Sequence, residues 1–111
     1  MNDISLNDLP LATFAAVMNT KFRLCVAAAD VVELELIEAR AGRSVAPPPG
    51  QPCYENFSLL FAGPLDRPLG QRLYSFEHDQ IGRFELFIVP VGYGAGGLHY
   101  QAVFNRPART T

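Results

Sequence analysis

Apolar residues recur at every second position along most of this chain. "FRLCVAAA" places Phe22, Leu24 and Val26 in one phase, and "VVELELIE" sets Val32, Leu34 and Leu36 against Glu33 and Glu35. Alternation with period two marks a strand with one side in a core and the other in water. Ala29-Asp30 between these two runs reads as a tight hairpin turn. In "YENFSLLFAGP" Phe57, Leu59 and Phe61 share a phase, Leu60 adds apolar surface to the other face, and Gly63-Pro64 ends the run. "QRLYSFEHD" aligns Tyr74, Phe76 and His78, and "QIG" then turns the chain. "RFELFIVPV" and "LHYQAVFN" complete the set, the last with Tyr100, Ala102 and Phe104 in phase. The pattern predicts strands over 22–28, 31–39, 54–62, 71–79, 83–90 and 98–105.

Only the start of the chain departs from this period. Leu11, Phe14, Ala15 and Met18 recur at helical spacing, which predicts one helix over 10–18. Asn7 or Asp8 can cap it, Pro10 suits its first turn, and Asn19 can take the left-handed conformation that ends it. So short a helix depends on tertiary packing. "EARAGRSVAPPPGQP" is the longest connection; Pro47 to Pro49 cannot join a sheet and read as a stiff extended surface segment. "PLDRPLG" is a second proline-punctuated loop and "RPARTT" a tail.

One helix followed by six closely connected strands implies a mainly β fold with antiparallel neighbours. The expected architecture is a small antiparallel six-stranded barrel or compact sandwich, with one short N-terminal helix plugging an open end or covering an edge. At 111 residues the chain is expected to form a single domain, 1–111.

Composition narrows the partners. A net charge of −2 without any basic run gives no electrostatic footprint for nucleic acid. No stretch approaches the ~20 apolar residues of a membrane span. "MNDISLNDLP" lacks the basic start and apolar core of a secretory signal, so a cytoplasmic chain is expected, one that can still be built into an exported particle. Cys25 and Cys53 are expected as buried free thiols rather than a disulfide. Neither belongs to a C-x-x-C, and no metal site or cofactor is expected.

The chemistry-bearing candidates are few. In "VGYGAGGLHY" Gly92, Gly94 and Gly97 match G-x-G-x-x-G after a strand, the opening of a dinucleotide-binding loop. That loop needs a helix after its third glycine and an acidic residue further on. Here "LHYQAVFNRPARTT" follows, an alternating strand with no acid. The stretch is expected instead to be a mobile hairpin loop whose glycines let a partner's backbone approach. Tyr93 within it is a candidate contact anchor, with Gly94, Gly96, Gly97 and His99 beside it. His78, in phase with Tyr74 and Phe76, is expected to pack and donate a hydrogen bond to the turn backbone. A Ser58–His78 pairing across the sheet is conceivable, but Ser58 has no nucleophile elbow. Glu33 and Glu35 share the wet face and read as a solvated pair. No catalytic residue is expected.

The chain as a whole resembles a family of short bacterial domains of unknown function. "TFAAVMNTKFRL", "ENFSLLFAGP", "QRLYSFEHDQIGRFELFIVPVG" and "HYQAVFN" carry the resemblance, over Leu11 to Asn105. Asn19 stands where the family's helix is expected to end with glycine. The shared residues are turn formers and strand apolars, which specify a fold and bring no catalytic group. What the resemblance implies is a place beside phage-tail-like genes. The expected function is therefore a non-enzymatic module that binds another protein or itself in such an assembly. A barrel holding a small apolar ligand is the alternative, and an enzyme with a site near His78 the third.

Overall fold

The computed structural model describes residues 9–42, 49–50 and 54–107. They form α1 (Leu11–Ala15), β1 (Lys21–Ala27), β2 (Asp30–Ala41), β3 (Tyr54–Gly63), β4 (Arg72–His78), β5 (Gly82–Gly94) and β6 (Gly97–Pro107). The strands lie in the order β1-β2-β3-β6-β5-β4, every neighbouring pair antiparallel. β4 returns to β1 through Arg23↔Glu77, Leu24↔Phe76 and Cys25↔Ser75. That last pairing closes the sheet, so the fold is the barrel and not the sandwich.

The alternating residues meet inside. Phe22 and Leu24 of β1, Leu34 and Leu36 of β2, Phe57, Leu59 and Phe61 of β3, and Tyr100 of β6 are almost wholly buried. Rings of Phe22, Phe61, Phe76 and Phe84 pack at centroid separations of 5.4–6.4 Å. Six strands enclose a narrow interior, and these aromatic side chains occupy it.

α1 stops one end. Phe14 is buried completely, its ring 6.3 Å from Phe57, 6.0 Å from Phe84 and 5.9 Å from Phe104. The helix covers 11–15, shorter than the 10–18 read from spacing. Pro10 occupies the N-cap; Asn7 and Asp8 lie outside the described residues. Beyond Ala15 the chain tightens, with Val17 N–H bonded to the Phe14 carbonyl at 3.0 Å and Thr20 N–H to that of Val17 at 3.3 Å. Asn19 then takes φ 64°, the left-handed turn expected of it. Its N–H reaches the Leu36 carbonyl at 2.8 Å, and Leu36 N–H answers to Thr20 at 3.1 Å. The helix thus yields its last turn to the contacts that steer the chain into β1.

The opposite end is crossed by the β3–β4 connection. Leu69 is buried there, its N–H donating to the Tyr100 hydroxyl at 2.9 Å, and the Tyr74 hydroxyl donates to the Gly70 carbonyl at 2.9 Å. The β1–β2 turn is Ala28-Ala29, one residue earlier than expected. A bulge between Cys25 and Ala27 shifts the register so that Ala27 faces Asp30. Cys25 is free and exposed, not buried, because it shares the outer phase of Lys21 and Arg23. Cys53, Pro47 and Pro48 lie outside the described residues.

Candidate functional site: the β5–β6 ribbon and the outer barrel face

The glycine stretch is a continuation of the sheet and not a mobile loop. β5 runs through Gly94, β6 starts at Gly97, and only Ala95-Gly96 turns. Two devices carry the pairing on. The register shifts between Pro90 and Gly92, and Gly92, at φ 136°, resumes it opposite His99. Tyr93 then faces Leu98, and Gly94 faces Gly97. β4 begins at Arg72, opposite Ile88 of β5. Among the described residues, therefore, Val89 to Gly94 pairs only with β6. Pro90 is tolerated on this outlying edge, where a missing N–H breaks no ladder on the open side.

The expected contact residues divide sharply here. Tyr93 is 82% exposed. His99 folds over the turn, its Nε2 2.9 Å from the Ala95 carbonyl. A Cβ on Gly94 would meet the His99 ring, and one on Gly97 would collide with the Gly63 carbonyl. Gly94 and Gly97 are thus fitted to their own barrel, and Tyr93 alone presents a large side chain outward.

The outer surface is divided by chemistry. Glu33, Arg23, Glu77 and Arg83 are successive cross-strand partners from β2 through β1 and β4 to β5. Arg23 bonds Glu77 at 3.1 Å and Asp79 at 2.8 Å, and Arg83 bonds Glu77 at 3.1 Å. Hydrogen bonds from Arg83 and Arg23 hold the Glu77 carboxyl below its usual range. Further along the same strands the surface turns apolar. Leu73 of β4 and Phe87 of β5 face one another, 53% and 46% exposed. On β5 and β6, Val89 pairs with Gln101, and two residues further along each strand stand Phe87 and Val103, the latter 70% exposed. Among the described residues, five of the seven exposed large hydrophobic side chains lie on β4, β5 and β6, which are adjacent in the barrel.

His78 faces inward at the α1 end. The backbone N–H groups of Gln80 and Ile81 approach its Nδ1 at 3.1 and 3.4 Å. Nδ1 therefore accepts, the reverse of the donation expected from sequence. The ring proton sits on Nε2, 2.8 Å from the Thr20 hydroxyl, which itself donates to the Val17 carbonyl at 2.6 Å. Burial lowers the imidazole pKa; Asp79 opposes that and Arg23 adds to it.

The model of a domain of unknown function, DUF6916, matches residues 9–104. The chain belongs to this family. No curated protein and no solved structure matches it. The family match reaches from the α1 end to Phe104 and so includes the ribbon, the apolar strands and His78.

Within this DUF6916 domain the remaining sequence candidates stay apart. Ser58 lies on the outer phase of β3, opposite Val103 and Arg40, while His78 points inside, so the barrel wall separates them. Glu35 pairs with Lys21 at 3.5 Å beside the more exposed Glu33. Both line an open groove of about 410 Å3 between β2 and the Gly96 turn, which Arg67 also borders while bonded to Asp30 at 2.7 Å. Among the described residues no group of three or more His, Cys, Asp or Glu side chains could hold a metal ion, and no helix is long and apolar enough to cross a membrane. Leu73, Phe87 and Val103 were not singled out by sequence. Phe87 and Val103 each occupy an outer strand phase beside an inner one full of apolar residues, a signal that alternation alone reads as noise.

Proposed function

We propose that this domain is a non-enzymatic protein-interaction module that binds another protein chain through the outer face of β4, β5 and β6. The carrying observation is the clustering of exposed Leu73, Phe87 and Val103 on the outer phase of three adjacent strands, beside a belt of paired charges. Apolar side chains gathered on one outer face gain from being covered, whereas ion-paired charges are already solvated and partnered. Tyr93 adds a large ring at the rim, the residue type that anchors protein contacts. The barrel interior supports the same reading over the apolar-ligand alternative, since aromatic rings occupy it. A cytoplasmic chain working in a phage-tail-like assembly is the setting in which to look first.

The test is affinity capture of the tagged domain from its native host, with Phe87→Ser, Tyr93→Ala and Glu33→Ala variants in parallel. A defined partner, or a second copy of the chain, recovered with wild type and Glu33→Ala but lost with Phe87→Ser supports the reading. Equal recovery with Phe87→Ser rejects this face as the contact.

A further inference from the structure

We propose that the wedge between β5 and β6 is a slot in which an extended segment of another protein adds a strand to the open edge of β5. This rests on the reading of the β4–β5–β6 face as a protein contact and names what that face receives. β5 and β6 pair from Gly94↔Gly97 as far as Val89↔Gln101. Beyond that, β5 from Gly82 to Ile88 stays paired with β4, and β6 from Ala102 to Pro107 stays paired with β3. Among the described residues, neither stretch has a strand on its other side. The two strands are thus zipped together at the Gly96 end and parted toward α1. Phe14 of α1 fills the parting from inside, its ring 6.0 Å from Phe84 of β5 and 5.9 Å from Phe104 of β6.

The backbone direction along the wedge follows from the start of β1. Alternate residues of an antiparallel strand turn N–H and C=O to opposite neighbours. Leu36 turns both toward the β1 side, to Thr20 and Asn19. Glu35 therefore faces β3, and its partner Ala62 faces back. Phe61 then faces β6, and its partner Tyr100 faces β3. Gln101 and Val103 accordingly face β5, while Val89, Phe87 and Glu85 face β6. The N–H and C=O groups of Glu85, Phe87 and Val103 point into the wedge, where no strand receives them. Arg83 to Ile88 holds no proline and pairs with β4 without a bulge, so neither backbone guard of an open edge is present.

Strand addition supplies those bonds and takes its specificity from alternate side chains. Glu85 and Phe87 share the exposed outer phase of β5. Among the described residues Glu85 has no ion pair, whereas Arg83 is engaged by Glu77. An added strand, antiparallel like every pair in this barrel, meets Phe87 with one residue and Glu85 with the next but one. The segment that fits reads apolar-x-basic from its N-terminus. Its apolar side chain covers Phe87 and its basic one meets Glu85. An exposed ion pair adds little, so backbone bonds and the Phe87 contact carry the affinity.

Amide hydrogen exchange by NMR on the full chain tests first the edge and then its occupant. In the free domain the Glu85, Phe87 and Val103 amides should exchange at least about tenfold faster than those of Leu86 and Ile88, which face β4. The probe is an acetylated heptapeptide of alternating valine and threonine with one lysine placed to meet Glu85. It should slow the Glu85 and Phe87 amides by about tenfold or more and leave Leu86 and Ile88 as they were. The same peptide N-methylated on its wedge-facing amides should have no effect. Glu85→Lys should reverse the preference, taking glutamate in place of that lysine. Free Glu85 and Phe87 amides as slow as Leu86, equal action of the N-methylated peptide, or no slowing at millimolar peptide overturns strand addition. A host protein captured through Phe87 that leaves the Glu85 amide fast also overturns it, while the face itself stands as the contact.

Discussion

Gly97 has no room for a methyl group. Its φ is 127°, and a Cβ there would collide with the Gly63 carbonyl. Gly92 has φ 136° but open space around it. Gly97→Ala should therefore cost more than Gly92→Ala, which carries only the backbone strain of about 1–3 kcal/mol. Denaturant midpoints of the two variants compare them, and equal shifts would mean the Gly63 contact is unimportant. The left-handed turn at Asn19 was legible from one residue type after a helical run, and the structure has it. His78 was legible as a core residue from its phase, but its role as acceptor was not. That role depends on two amides brought back by the turn and on Thr20, 58 residues away in sequence.

Among the elements, the inward phases were read correctly because a strand with one buried face must alternate. The course of β5 was not. Proline and glycine in "VPVGYG" signal a break, and nothing in sequence distinguishes a break from a bulge that restores pairing beyond it. The helix was read too long because Met18 keeps the apolar period although the backbone has already tightened. α1 is held by the burial of Phe14, since five residues cannot sustain a helix alone. Phe14→Ala should lower stability by about 3–5 kcal/mol, the usual range for emptying a buried phenylalanine site. Thermal or denaturant unfolding at neutral pH checks it. A change below about 1 kcal/mol would show that α1 is not a plug but a loose cover.

At the scale of the molecule, alternation leaves barrel and sandwich equal. The pairing that decides, β1 with β4, joins residues some fifty positions apart and leaves no local trace. The split of the outer wall into a charged belt and an apolar face was equally hidden, because it emerges only when β4, β5 and β6 become neighbours. The charged belt and the apolar face then predict opposite responses. Raising salt should weaken the half-buried Arg23–Glu77 pair and the more exposed Arg83–Glu77 pair while leaving partner binding through Phe87 intact. A complex that dissociates with salt would place the contact on the belt instead.

The most direct measurement is site-specific photo-crosslinking in the native host, with a photoreactive residue at Phe87 or Val103 and, separately, at Glu33. Crosslinks to one defined chain from positions 87 and 103, absent from position 33, are the expected result. Light scattering of the purified domain then tells a second copy from a different protein. Crosslinks of equal yield from all three positions, or from position 33 alone, would contradict a protein contact on the β4–β5–β6 face.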